Sequence, residues 1–252
     1  MPSLPSPADH ALAARAATEA GELLVHLRAE LMAGGHHPGA TGDVGDRSAH
    51  LFLMELLARE APGDAVLSEE GRDDLRRLDH ERVWIVDPVD GTREFSEPGR
   101  SDWAVHVALA IDGVAVVGAV ALPARGITLS TDPPPPARPP HDDEVRILVS
   151  RSRPPHQARL IQEALGGRLV PMGSAGAKAM AVVLGEADVY AHAGGQYEWD
   201  NAAPAAVASA AGLHVSRLDG SPLRYNQADP WLPDLLICRP DLAMPVLRAL
   251  RP

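Results

Sequence analysis

Two aspartates three residues apart, Asp87 and Asp90, stand in the segment Val83-Trp84-Ile85-Val86-Asp87-Pro88-Val89-Asp90-Gly91-Thr92-Arg93-Glu94-Phe95. Four apolar residues, Val83 to Val86, precede them and read as a buried strand. Pro88 fixes its own φ and lacks an N–H, so the strand is expected to end there in a set turn. Such a turn can aim both carboxylates at one point and free the carbonyl of Val89. Gly91-Thr92 then opens a short helix, whose unpaired N–H groups suit an anion. Clustered hard oxygens suit Mg²⁺, which is held by carboxylates together with substrate phosphates. A turn with two solvated acids is the other reading of D-x-x-D alone. The complete D-P-x-D-G-T is far more specific.

More acids stand where elements begin or end. Ala65-Val66-Leu67-Ser68 reads as a short strand closed by Glu69-Glu70. Asp46 reads as the N-cap of a helix from Arg47 to Glu60, after a Gly-rich loop from Ala33 to Gly45 that contains His36-His37. That histidine pair has no Cys or second His pair at ligand spacing and reads as surface loop. Asp200 alone reads as the cap of a helix from Asn201 to Ala211. Gly173-Ser174-Ala175-Gly176-Ala177-Lys178 has neither Walker A nor G-x-S-x-G spacing. It reads as a strand-to-helix turn with a lysine in the first turns, fit to hold an anion or simply to pack tightly.

Asp87-Pro88-Val89-Asp90-Gly91-Thr92 resembles the D-P-[IVL]-D-G-T signature of the lithium-sensitive, Mg²⁺-dependent phosphomonoesterases, the inositol monophosphatase superfamily. Leu67-Ser68-Glu69-Glu70-Gly71 resembles its first acidic motif. Glu198-Trp199-Asp200, with Ala202-Ala203-Pro204, resembles its W-D-x-A-[AG] signature. The resemblance spans nearly the whole chain. Gly91 to Phe95, Gly194 to Asp200 and Pro222-Leu223-Arg224-Tyr225-Asn226 look most like the bacterial CysQ type. The resemblance implies an α+β fold, a layered αβαβα sandwich. It implies two or three Mg²⁺ ions on Glu69, Asp87, the Val89 carbonyl, Asp90 and Asp200. It assigns catalysis to Thr92, Asp46 and Glu69, and substrate contacts to Glu69, Val89, Asp90, Gly91, Thr92, Ser174, Lys178, Gly194 and Asp200. Carboxylates gathered so closely repel unless cations sit among them, which accords with bound metal.

The implied reaction is hydrolysis of the 3′-phosphate of 3′-phosphoadenosine 5′-phosphate to AMP and phosphate by metal-activated water. Inositol monophosphate and fructose-1,6-bisphosphate are the alternative substrates. A homodimer is the family habit. Two departures stand out. The family's Lys and its D-x-V-T-x-x-D stretch are reduced here to Asp46, and His192 stands where its nucleotidases carry an Arg ahead of W-D.

Composition bounds the rest. The chain has 252 residues with a net charge of −11, which argues against a nucleic-acid surface but not against a small anion held through metal. Aromatics make up only 4%, so Ala, Val and Leu must carry the packing. The one cysteine, Cys238, lies in an apolar run and reads as a buried hydrophobe in a reducing compartment. No apolar run approaches membrane-spanning length and no signal peptide is legible, so a cytoplasmic protein is expected.

Helical spacing predicts a long helix from Ala8 to about Met32. Trp103–Ile111, Gly113–Leu122 and Gly126–Thr131 read as consecutive strands, with Asp112-Gly113 as a hairpin turn. His106, in the first of them, reads as a core histidine. The Pro-rich run Asp132 to Asp143 reads as a spacer between an N-terminal α+β domain, 1–140, with an antiparallel-rich sheet, and a C-terminal α/β domain, 141–252, with a mixed or parallel sheet and flanking helices. In the second domain, strands are expected at 145–150, 169–172, 188–191 and 235–238, and helices at 156–165, 175–184, 201–211 and 241–250.

Overall fold

The computed structural model describes residues 4–73, 75–136, 144–151 and 155–251. Residues 137–143 of the Pro-rich run, on which the domain boundary was drawn, lie outside the described residues.

Five layers alternate. Helices α1 (Pro7–Ala33) and α2 (Pro38–Glu60) cover the outer face of the first sheet. That sheet runs β1 (Ala65–Ser68), β2 (Arg82–Asp90), β3 (Ala104–Ile111), β4 (Val114–Leu122) and β5 (Ile127–Ser130) in spatial order. Only β1–β2 is parallel. The short helix α3 (Thr92–Ser96) follows β2. The second sheet has the order β7 (Arg168–Met172), β6 (Arg146–Ser150), β8 (Val189–Tyr197), β10 (Trp231–Cys238), β9 (His214–Ser216), and is mixed. Helices α5 (Ala175–Val183) and α6 (Glu198–Ala210) fill the space between the sheets, while α4 (His156–Leu165) and α7 (Pro240–Ala249) cover the far face.

The layering follows from strand alternation. Along β3, Val105, Val107, Leu109 and Ile111 join the core under α1 and α2, whereas Ala104, Ala108 and Ala110 face the middle layer. The large residues fill one interface and the alanines let α5 and α6 approach closely on the other. A Cβ on Gly118 of β4 would come within 2.8 Å of the Ala203 carbonyl, which shows how tightly the Ala-rich α6 lies against the sheet. Burial on both faces explains why these strands read as continuous apolar runs. Asp112 and Gly113, both at positive φ, make the expected hairpin turn, and Cys238 is fully buried.

The start of α2 and the end of β2 differ from expectation. Helix α2 begins at Pro38 and not after Asp46. Pro38 at the first turn and the His37 side chain, accepting from the Gly39 N–H at 3.1 Å, start the helix earlier. Gly42 and Gly45 are not loop residues. Cβ atoms there would come within 2.8 Å of Thr92 Cγ2 and 2.5 Å of Phe95 Cε1, so the two glycines let α2 approach α3. Asp46 is therefore mid-helix and caps nothing. Strand β2 does not stop at Pro88 but continues to Asp90. Its pairing with β3 slips between Asp87↔His106 and Asp90↔Ala104, placing two residues opposite one, and Pro88 sits in that bulge. No helix among the described residues is long and apolar enough to cross a membrane.

Candidate metal and phosphate site

Residues three apart on a regular strand point to opposite faces. The bulge adds one residue, so Asp87 and Asp90 both project into the middle layer, on the face shared with His106 and Ala104. There they meet Asp200, and one oxygen from each of the three carboxylates lies within 4.8 Å of the others. Asp200 is not the cap of α6 but its third residue, since the helix begins at Glu198; its Oδ2 accepts the Tyr197 N–H at 2.6 Å.

Asp90 is held from several sides. Its Oδ1 accepts the Ala175 N–H at 3.0 Å, and its Oδ2 accepts the Gly176 N–H at 2.6 Å and the Ser174 hydroxyl. An acid of the first sheet thus binds the positive end of α5. Ser174 adopts φ 49° and also accepts from the Ala177 N–H at 2.9 Å. His106 is fully buried beside this group. Its Nδ1 donates to the Trp199 carbonyl at 3.0 Å, and its Nε2 lies 3.2 Å from Asp90 Oδ2, close enough for an ion pair but outside hydrogen-bond alignment. The core reading of His106 holds for its burial and misses these contacts. Gly176 makes room for it, because a Cβ there would stand 2.0 Å from Nε2.

Charge separates these acids into two kinds. Burial works against the Asp90 anion, but the charge of the neighbouring His106 and the hydrogen bonds from Ser174 and Gly176 outweigh it and hold the group down at about 2. Asp87 moves the other way, pushed well up by burial and then by the charges of Glu69, Asp90 and Asp200. Burial, with Asp90 next, raises Asp200 to about 6. Glu69 sits outside the close trio, exposed over much of its surface, with its carboxyl raised to about 7 by desolvation first and then by the charge of Asp200. Glu70, its neighbour, is exposed. Acids held this high are short of positive charge, and an all-carboxylate donor set fits a hard divalent cation.

Thr92 stands at the edge of the cluster. Its Oγ1 lies 3.3 Å from Asp46 Oδ1 and 3.2 Å from the Val89 carbonyl. Burial, with the charge of Glu70, raises Asp46 to about 7. Gly91, at φ 87°, turns the chain from β2 into α3. Lys178 is nearly fully buried and directed backwards, with Nζ donating to the carbonyls of Ser174 (2.5 Å), Gly173 (3.2 Å) and Met172 (3.5 Å). Its ammonium braces the turn. Gly194, at φ 120°, lies in β8 three residues before Tyr197, and His192 Nε2 contacts the Gly195 carbonyl at 2.9 Å.

Sequence reasoning passed over a second network. Glu198 is fully buried, accepting the N–H groups of Asn226 (2.7 Å) and Gln227 (2.8 Å). Buried Arg77 bonds Asp73 (2.8 Å), the Asn226 side-chain oxygen (2.8 Å) and the Gln227 carbonyl (2.8 Å). This clamp ties the segment after Glu69 to the first turn of α6, which carries Asp200. Glu198 beside Trp199-Asp200, and Asn226 in the Pro222–Asn226 stretch, were the available signals; Arg77 lay in a charged segment with none.

Three comparisons with known proteins agree with this geometry. The model of the inositol monophosphatase family matches residues 8–235. The 3′-phosphoadenosine 5′-phosphate phosphatase of Mycobacterium tuberculosis (strain CDC 1551 / Oshkosh) is 54% identical over 240 residues, covering 92% of this chain and 89% of that protein. The 3′(2′),5′-bisphosphate nucleotidase CysQ of Escherichia coli (strain K12) is 30% identical over 207 residues, covering 74% and 80%. Among solved structures, CysQ from Bacteroides thetaiotaomicron superposes with a TM-score of 0.76 at 26% identity, over 92% of this chain and 97% of that one. Inositol monophosphatase-II from Staphylococcus aureus MSSA476, at 21% identity and TM-score 0.79 over 96% and 95%, shares the fold.

Proposed function

The chain belongs to the inositol monophosphatase family, and we propose that it is a Mg²⁺-dependent phosphomonoesterase that removes the 3′-phosphate of 3′-phosphoadenosine 5′-phosphate, giving AMP and phosphate. The convergence of Asp87, Asp90 and Asp200 carries the reading of the chemistry. The relative named for that substrate, with the CysQ relative named as a 3′(2′),5′-bisphosphate nucleotidase, supports the choice of ester. Asp87, Asp90 and Asp200, with Glu69 and the Val89 carbonyl, are the proposed holders of two or three Mg²⁺ ions. When bound, Mg²⁺ neutralises phosphate charge and lowers the pKa of a water in its coordination sphere.

The chain supplies the rest by position. Asp46 and Thr92 form a proton-holding pair. With Thr92 Oγ1 donating to Asp46, the Thr92 lone pairs are free to accept a hydrogen from the attacking water. Glu69, at the mouth of the site, is the second group that orients this water. The N–H groups of Gly91 and Thr92 bind phosphate oxygens. Ser174 fixes Asp90, and Lys178 adds positive charge from behind the turn. The proposed Gly194 contact lies in β8, at a position where an added Cβ would meet nothing within 4 Å. Phosphoryl transfer needs this positioning and charge balance, with no covalent nucleophile. The reading extends to a cytoplasmic homodimer, which rests on the family resemblance and on a lone, buried cysteine.

The test is phosphate release, with and without Mg²⁺, from 3′-phosphoadenosine 5′-phosphate, inositol 1-phosphate and fructose-1,6-bisphosphate side by side. A kcat/KM preference for the nucleotide of about a hundredfold, ~2.7 kcal/mol of transition-state discrimination, is the expected result. Comparable rates on all three would replace the nucleotidase with a broad phosphatase.

A further inference from the structure

Aromatic side chains are few in this chain, and all but two are wholly or largely covered. The two are Tyr197, 46% exposed, and Trp231, 47% exposed. They pair directly across the β8–β10 ladder, so both rings stand on one face of the sheet. Trp231 lies over Gly195, where a Cβ would come within 2.4 Å of its Nε1. The Tyr197 ring stacks flat on Trp199, with centroids 4.7 Å apart and planes 8° from parallel. One face of Tyr197 is therefore covered, and its exposure lies on the other face and the edge.

This pair is tied to the acid cluster through the backbone. The Tyr197 N–H is bonded to Asp200 Oδ2, and the Trp199 carbonyl receives His106, which in turn contacts Asp90. An open aromatic face is thus braced from behind by a second ring and fixed within one helical turn of a proposed metal-holding carboxylate. Such a face suits a planar heterocycle, because stacking on an aromatic is sequence-tolerant and needs no polar partner. An apolar surface is also the means of attraction least hindered by the acidic charge of the protein.

We propose that Tyr197, flanked by Trp231, is the specificity-determining platform on which the base of a nucleotide substrate stacks while its phosphate ester lies at the Asp87–Asp90–Asp200 cluster. The proposal rests on the phosphomonoesterase reading and adds to it the group that separates nucleotide from sugar phosphates.

The experiment compares wild type, Tyr197→Ala, Tyr197→Phe and Trp231→Ala as full-length, Mg²⁺-loaded protein, on adenosine 3′,5′-bisphosphate and on inositol 1-phosphate. Tyr197→Ala is expected to lower kcat/KM on the nucleotide by about tenfold or more, chiefly through KM. Its loss on the base-free ester should be several-fold smaller. Tyr197→Phe keeps the ring and should restore nucleotide selectivity, and Trp231→Ala should shift it in the same direction by less. Equal losses on both esters, or no loss on the nucleotide, overturn the platform. So does a change of oligomeric state in Tyr197→Ala with selectivity intact, which would make the patch an interface between copies. If wild type released phosphate from no ester, the phosphatase reading would fail separately. Adenosine 3′,5′-bisphosphate binding, followed by tryptophan fluorescence, then decides the platform: binding unchanged by Tyr197→Ala overturns it, and binding weakened by Tyr197→Ala but kept by Tyr197→Phe sustains it.

Discussion

Removing divalent metal should make the stability of this protein fall as pH rises, opposite to the usual behaviour of a paired carboxylate. Asp200 is raised from 3.8 to about 6, and Asp46 and Glu69 to about 7, in the folded chain. A carboxyl whose folded pKa exceeds its unfolded one binds more protons when folded, so its contribution is present at low pH and lost as pH rises through the folded value. The window is therefore roughly pH 4 to 8. Between pH 5 and 8, Asp200 alone contributes a loss of about 1 kcal/mol. Asp46 and Glu69 are more open to solvent, and a nominal contribution on the order of 2–3 kcal/mol from each is roughly halved for screening. The total is about 2–4 kcal/mol. At ~2–4 °C per kcal/mol for a chain of this size, Tm in EDTA should drop by roughly 5–15 °C from pH 5 to pH 8. Scanning calorimetry with and without Mg²⁺ measures this. Saturating Mg²⁺ should remove most of the drop, because ion binding to the folded state grows as the acids ionise. Asp200→Asn should flatten the EDTA profile. A Tm in EDTA that stays level or climbs from pH 5 to 8 would refute the account of the cluster as a set of uncompensated acids.

Other perturbations follow from the same geometry. Asp87→Asn should abolish Mg²⁺-supported phosphate release while circular dichroism stays native; wild-type turnover would overturn the scheme. Gly176→Ala places a Cβ within 2.0 Å of His106 Nε2, and should lower stability by about 1–3 kcal/mol in denaturant titration and cut activity at least tenfold. An unchanged variant would mean that His106 moves aside freely. Arg77→Ala breaks the clamp between the segment after Glu69 and the first turn of α6, and should cost about 3 kcal/mol, since Arg77 is buried and paired with Asp73. It should also raise the Mg²⁺ concentration for half-maximal activity several-fold. Destabilisation with an unaltered Mg²⁺ requirement would mark the clamp as purely structural.

Much of this protein is written locally. The D-P-x-D-G-T stretch, the paired acids after β1 and the W-D pair carry the family resemblance that implies a metal-dependent site, and their hard oxygens suit that chemistry. Apolar periodicity also marks most helices and strands, since each element has to bury a face. The exceptions share a physical cause. Asp46 looked like a cap because Gly42 and Gly45 looked like loop residues, yet those glycines answer to Thr92 and Phe95, distant in sequence. Pro88 looked like a terminator because local rules count its missing N–H, whereas a bulge against β3 has no use for that donor. Lys178 had the composition of an anion site, and only the packed turn shows its ammonium spent on carbonyls. The parity that puts Asp87 and Asp90 on one face, the burial of His106 between Asp90 and Trp199, and the clamp from Arg77 to Glu198 depend on contacts between segments far apart in the chain. Residue chemistry determines which groups can react, because it is local; where they point is decided by packing between layers, which no single segment contains.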